Sequence, residues 1–234
     1  MYLEDQYLWS KRAAHALADA LRRNHRLRVV AVVPRYPDRD GRASGAASRI
    51  ARGHVIDILH RAGGNRVAVY DLENTNGTPI YVHAKVCVID DVFAVIGSDN
   101  INRRSWTHDS EISCSIIDLE TDDRLPVDPG GLGDRARRLA RELRLRLWRE
   151  HLERGDDNSE LIDPDEGFAA LARAATTLDA WHRNGRRGPS PAGRLRQHNA
   201  ERVSPGIKFP AAALYRLVLD PDGRPRRLRR DNQL

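Results

Sequence analysis

Tyr81 to Asn100 reads YVHAKVCVIDDVFAVIGSDN, two apolar runs threaded with a histidine, a lysine and a pair of aspartates and closed by Gly-Ser-x-Asn. Successive strand residues point to opposite faces, so His83 and Lys85 share one side of an extended strand while Ala84, Val86 and Val88 fill the other. Two cation-capable groups thus stand together above a core. Asp90 and Asp91 interrupt the apolar pattern as a turn does, and Val92 to Ile96 reads as a second strand delivering Gly97, Ser98 and Asn100 at its end. The stretch predicts a strand-turn-strand hairpin that brings four polar side chains near one another. A lone strand histidine is usually a hydrogen-bonded structural residue. This one has company: among 36 arginines the chain has only three lysines, Lys11, Lys85 and Lys208. A lysine in an apolar strand departs from that habit. Its compact charge suits a phosphate oxygen, and burying it without an anion is costly.

Outward from the hairpin, helix and strand patterns alternate. Ser10 caps a helix running to about Arg23 on a stripe of Ala13, Ala14, Leu17, Ala20 and Leu21. Arg28 to Val33 is a β-branched run suited to a buried parallel strand, and Pro34 to Gly45 is a loop. A helix over about Ala46–Arg61 stops at Gly63-Gly64. Arg66–Tyr70 and Glu111–Ile117 read as strands, and Asn74–Pro79 as a turn. Asp134–Arg154 and Gly167–Trp181 carry apolar residues at helical spacing, Ala136, Leu139, Ala140, Leu143, Leu147 and Trp148 in the first. The alternation predicts an α/β layered domain, a mixed β-sheet flanked by helices, over residues 1–184. Residues 185–234 form a basic Pro/Arg-rich tail, irregular and extended, with a helical period only at Ala211–Leu219.

The net charge of +6 is unevenly spread: residues 1–185 hold 27 Lys and Arg against 29 Asp and Glu, and residues 186–234 hold 12 against 4. A basic tail suits anionic head groups or nucleic acid. No apolar run approaches the roughly 20 residues of a membrane span, and the opening MYLEDQYLWSKR lacks a signal-peptide layout. The expected location is cytoplasmic or peripheral to a membrane. Cys87 and Cys114 fall in strands and read as small buried hydrophobes. No metal cluster is visible and no cofactor is implied.

His83-x-Lys85-x4-Asp90 followed by Gly97-Ser98-x-Asn100 is the HKD signature, and the chain resembles the phospholipase D superfamily. Tyr2–Tyr7, Asn102–Ser105, Asp109–Ile112 and Leu147–Leu152 extend the resemblance over much of the chain. It implies metal-independent phosphodiester cleavage by two histidines, one from each of two HKD motifs. One imidazole attacks phosphorus to give a phosphohistidine, and the other protonates the leaving alcohol. Carried onto this sequence, His83 is nucleophile or general acid, Lys85 and Asn100 bind nonbridging oxygens with Ser98 in support, and Glu111 orients the His ring. Asp90 completes the catalytic set, fixing the hairpin rather than touching substrate. Glu4 and Gln6 match a motif at the site's edge with no role assigned. His108, Asp109 and Trp106 are candidates to line the pocket, and His151 reads as structural.

The chain holds one HKD copy and resembles a C-terminal lobe whose first residues, Met1–Glu4, look like the end of a strand. The second motif is expected from a homodimer or from a separate N-terminal lobe, and either arrangement predicts an apolar rim around His83. The reaction implied is hydrolysis or transphosphatidylation of glycerophospholipid at a membrane surface. The alternatives are a dimeric HKD nuclease, a phosphatidyltransferase of the cardiolipin synthase kind, or an inactive lipid-binding or partner-binding fragment, with nucleic acid the lesser partner.

Overall fold

The computed structural model describes residues 1–36, 42–199 and 215–230. Strand β1 (Tyr2–Glu4) leads into helix α1 (Lys11–Arg23), β2 (Val29–Val32), α2 (Arg42–Gly63) and β3 (Val67–Leu72). The hairpin β4 (Val86–Ile89) and β5 (Phe93–Gly97) follows, then β6 (Ser113–Ile117), α3 (Arg138–Leu152), α4 (Pro164–Arg183) and β7 (Leu195–Gln197). A π-helical turn at Tyr215–Leu219 and a short helix α5 (Arg226–Arg230) complete it. The strands form one seven-stranded mixed sheet in the order β6-β5-β4-β1-β2-β3-β7. Strands β1, β2 and β3 run parallel, and β4 lies antiparallel to β1 with Glu4 opposite Val86.

The alternating apolar residues divide between two layers. Tyr2, Val30, Val32, Tyr70, Val88 and Ala94 pack on one face with Ala140, Leu145 and Trp148 of α3 and Leu171 and Ala175 of α4. Leu3, Val29, Ala31, Val33, Val67 and Val69 pack on the other with Leu21 of α1 and Val55 and Leu59 of α2. Ser10 caps α1 as its sequence suggests, its hydroxyl accepting from the Ala13 amide at 3.2 Å. Asp163 does the same for α4, where Pro164 opens the first turn. Among the described residues no helix is long and apolar enough to cross a membrane.

Several expectations are corrected. His83 and Lys85 precede β4, in extended chain that is not yet strand. Cys114 is exposed, because β6 is an edge strand whose sides lie beyond the helical layers, while Cys87 is half-buried. Residues 134–137 are not helical: the Ala136 amide donates to the Val127 carbonyl at 2.8 Å and the Arg137 amide to the Asp91 carbonyl at 2.7 Å, drawing that chain onto the hairpin. Leu139 is exposed, whereas Arg141 and Arg144 are buried against Asp91. Residues 195–197, within the tail, are strand β7 and pair with β3. Of the helical period at Ala211–Leu219, the first four residues lie outside the described residues, and the rest form the π-helical turn.

Candidate active site

Parallel strands β1, β2 and β3 end where antiparallel β4 begins, so Glu4, Asp5, Gln6, Arg35, Asp71, Glu73 and Lys85 collect at one end of the sheet. The Lys85 carbonyl accepts from the Gly97 amide at 3.1 Å, which carries the β4–β5 pairing one step past the strand. As a residue Lys85 is only 9% exposed. It donates to Gln6 Oε1 at 3.1 Å and to the His83 carbonyl at 2.8 Å. Gln6 donates in turn to the Tyr81 hydroxyl at 2.6 Å. The backbone that carries Gln6 is held from behind by Arg52, which donates to the carbonyls of Gln6 (2.9 Å), Tyr7 (3.1 Å) and Pro34 (2.6 Å). His83 is exposed, its ring 6.3 Å from that of Tyr81 and inclined to it by 28°.

From β5 the chain passes close to β6. A Cβ on Gly97 would come within 1.9 Å of Ser113 Oγ, so only glycine fits there. The loop 98–112 closes on itself through Glu111, which accepts from Ser98 Oγ at 2.6 Å and from Ser105 Oγ at 2.8 Å. Ser98 is also bonded by the Ile112 amide at 3.0 Å. The Ser105 amide donates to Asn102 Oδ1 at 2.9 Å, and the Ile101 amide to Asp5 Oδ2 at 2.8 Å. Asp5 also receives the Tyr7 and Leu8 amides; burial raises its pKa although these bonds and Arg52 oppose the rise. Asn100 is buried, and its carboxamide oxygen has no hydrogen-bond partner among the described residues. Glu111 bonds Ser98 and Ser105 rather than the His83 ring.

Beneath the site, Tyr2, Glu4 and His151 form a buried triangle: Tyr2 Oη lies 2.5 Å and His151 Nε2 2.9 Å from Glu4 Oε1, and the two are 2.9 Å apart. Burial alone would raise the Glu4 pKa, but the hydrogen bond and charge of His151 with the Tyr2 hydroxyl hold it below its ordinary value. The Tyr2 phenol is pushed well up by burial and by Glu4. Glu4 thus joins β1 to His151 of α3, and Gln6 accepts from Lys85.

The structure brings His83, Lys85, Ser98, Asn100 and Glu111 to one end of the hairpin. Asp90 is not among them. It sits at the far end of β4, in the turn, with its side chain against Gly130. Asp109 is bound by Arg104 at 2.8 Å on the outside of the loop, and His108 lies against Gly223. Trp106 lines a cavity of about 460 Å³ with Ile50 and Tyr215. A second charged group on the same sheet end escaped the sequence reading. Asp71 pairs Arg35 (2.6 Å) and His198 (3.1 Å), and Glu73 pairs His182 (2.7 Å) and Arg196 (3.2 Å). Burial lowers the His198 pKa, with Asp71 opposing.

Fold and site together have the form of an α/β lobe carrying one HKD set. Residues 2–125 match the family model described as "Cardiolipin synthase, PLD-like domain", and the chain belongs to this phospholipase D-like family. It is 33% identical over 208 residues to phospholipase D zeta 1 of Arabidopsis thaliana, an alignment covering 70% of this chain and 19% of that protein. Against human phospholipase D1 it is 31% identical over 226 residues, covering 76% and 21% respectively. Against phospholipase D1 of Schizosaccharomyces pombe it is 49% identical over 119 residues, covering 42% and 8%. The chain therefore spans about a fifth or less of the length of these relatives. Among solved structures, NucT from Helicobacter pylori has a TM-score of 0.35 and 17% identity over 49% of this chain and 65% of that one.

Proposed function

We propose that this lobe supplies half of a phospholipase D-type site that cleaves glycerophospholipids through a phosphohistidine. The observation that carries the reading is the buried Lys85 ammonium, fixed by Gln6 and by the backbone carbonyl of His83. In this reading the exposed His83 attacks phosphorus or protonates the leaving alcohol. Lys85 and the Asn100 carboxamide are the groups to draw charge off the nonbridging oxygens. Glu111, held by Ser98 and Ser105, is the carboxylate to steady the His83 ring once substrate and the second lobe are in place. In the first step the phosphorus–oxygen bond to the head-group alcohol breaks as the bond to imidazole forms, and the alcohol takes a proton from the second histidine. In the next, water attacks phosphorus, gives up a proton to that histidine and frees the first.

The second histidine comes from another HKD lobe, either a second copy of this chain or a separate one. Supporting this, Ile80, Tyr81, Ile96 and Ile112 are exposed apolar side chains flanking the site, and Ile112 is 81% exposed. The exposed arginines 226, 227, 229 and 230 of α5 favour attachment to anionic lipid surfaces. Choline release from phosphatidylcholine vesicles, with and without His83→Ala, tests the assignment: an unaffected rate in the variant sinks it. The family description favours a second outcome of the same intermediate, transfer of the phosphatidyl group to an alcohol. Product analysis with added glycerol or phosphatidylglycerol separates transfer from hydrolysis.

A further inference from the structure

Residues 215–224 lie on the outside of the loop that carries Asn100, Ser105 and Glu111, and one carboxylate ties the two together. Asp220 is 1% exposed. Its Oδ1 accepts from the Arg104 amide at 2.6 Å, and its Oδ2 lies 2.5 Å from the Tyr215 hydroxyl. Its backbone carbonyl receives both Nε and Nη2 of Arg103, the former at 2.9 Å. Three residues on, the Gly223 amide donates to Thr107 Oγ1 at 3.1 Å, and that hydroxyl donates to the Arg103 carbonyl at 2.7 Å. The fit is close, since a Cβ on Gly223 would come within 2.2 Å of His108 Cβ. Tyr215 completes the tie, its ring 5.6 Å from Trp9 and edge-on to it, its hydroxyl 3.3 Å from the Trp9 carbonyl.

The peptide that Asp220 grips is adjacent to Ser105, and Ser105 holds Glu111. On its other side the loop hangs from Asp5 through the Ile101 amide and from the amides of Trp9 and Ser10, which both donate to the Ile101 carbonyl. Within the loop the Arg103 carbonyl accepts from Thr107 Oγ1 and the Arg104 carbonyl from the amides of Thr107, His108 and Asp109, whereas Asp220 ties the Arg104 amide to chain outside the loop. A buried carboxylate that accepts a backbone amide at hydrogen-bond distance sets that peptide's orientation, and small displacements of a positioned carboxylate cost rate more than affinity.

We propose that the segment Tyr215–Arg224 is a strap that holds loop 98–112 in its working shape, with Asp220 as a positioning residue acting through Arg104 and Ser105 on Glu111. The catalytic consequence rests on the phospholipase D reading above; the mechanical one does not. The test is hydrogen exchange of the full chain read at residues 102–107, for wild type and Asp220→Ala, with Val29–Val32 and Val67–Leu72 as internal references. Faster exchange in the loop with unchanged protection in β2 and β3 is the expected result, and unchanged exchange in the loop overturns the strap. If Asp220→Ala fails to fold, Tyr215→Phe, which removes one hydroxyl, is read in the same way. In the active assembly, Asp220→Ala should lower kcat about tenfold or more with KM within about twofold. Asp220→Asn, which keeps an acceptor for the Arg104 amide, should recover most of that loss. A variant that is less stable yet retains wild-type kcat overturns the positioning role. A wild-type assembly with no phosphodiesterase activity defeats the proposed reaction, and the exchange comparison still decides the strap.

Discussion

The ammonium of Lys85 owes its place in part to Gln6, 79 positions away in sequence and brought near it just past the end of the β1–β4 pairing. Replacing Gln6 by Ala removes both that acceptor and the donor to Tyr81. We expect kcat/KM to fall about tenfold and the urea midpoint to fall as well, because two hydrogen bonds are lost, one of them buried and made by a charged donor that contributes about 1.5–3 kcal/mol. Steady-state kinetics and denaturation on one preparation check both halves. Below it, His151→Ala leaves the Glu4 carboxylate buried with only the Tyr2 hydroxyl as partner, and removing one side of a buried ion pair costs about 3–5 kcal/mol. The pH dependence follows from the same pair. Since the folded pKa of Glu4 lies below its ordinary 4.5, its contribution is fully present above 4.5 and is lost as pH falls through the lower value. Wild type should therefore lose stability on acidification more steeply than Glu4→Gln, which equilibrium urea titrations at a series of pH values would show. His83 and Lys85 were legible because a two-residue spacing is local information. The partners of Lys85 and Glu4 were not, because sheet pairing and helix docking bring them from distant sequence.

The hairpin shows the same limit at the level of an element. Asp90 and Asp91 read alike as turn residues, and both have positive φ, 53° and 56°, in a turn closed by the Val92 amide on the Ile89 carbonyl at 2.9 Å. Their side chains part company. Asp91 is buried and accepts from Arg144 at 2.6 and 2.7 Å and from Arg141 at 3.1 Å, while Arg141 reaches on to Asp122 at 3.2 Å. Asp91 thus fastens the hairpin to α3 and to the chain before it. Asp122, pulled down to about 2 by its hydrogen bond to Arg124, stays ionised at ordinary pH. Asp91→Asn should destabilise by roughly 3–5 kcal/mol, since the buried Arg144 guanidinium loses its countercharge and Arg141 keeps only Asp122. Asp90→Asn, at a turn position where Asn also tolerates positive φ, should change stability by less than about 1 kcal/mol. Chemical denaturation of the two variants side by side tests this division, and equal losses would defeat it. The helical stripe of α3 was readable from its apolar residues, and Leu143 and Leu147 do pack on the core. The burial of Arg141 and Arg144 was not, because it depends on a carboxylate that the hairpin presents from outside the helix.

At the scale of the molecule, the helical layers cover β1, β2 and β3, reach β4 and β5 only from the α3 side at Val88 and Ala94, and stop short of β6. Ile96, Ile112 and Ile117 are left exposed, Ile117 at 62%. If a second lobe packs here, Ile112→Glu with Ile117→Glu should abolish association, giving a single monomer in sedimentation velocity and loss of phosphodiesterase activity while urea stability is retained. An unchanged sedimentation coefficient in a wild type that self-associates would move the interface elsewhere. The layered α/β architecture was legible from the alternation of periods. The seventh strand was not, because its three residues, Leu195, Arg196 and Gln197, offer no run long enough to read. That strand gives the sheet an asymmetry. Its outward-facing Gln197 amide is already occupied by Asp179 Oδ2 of α4 at 3.2 Å, and Arg196 is drawn to the same carboxylate. One margin of the sheet is therefore capped in part by a side chain, while among the described residues nothing pairs with the outer side of the other, the five-residue β6. If association runs through β6 alone, it pairs two lobes and ends there, without ladders of higher species.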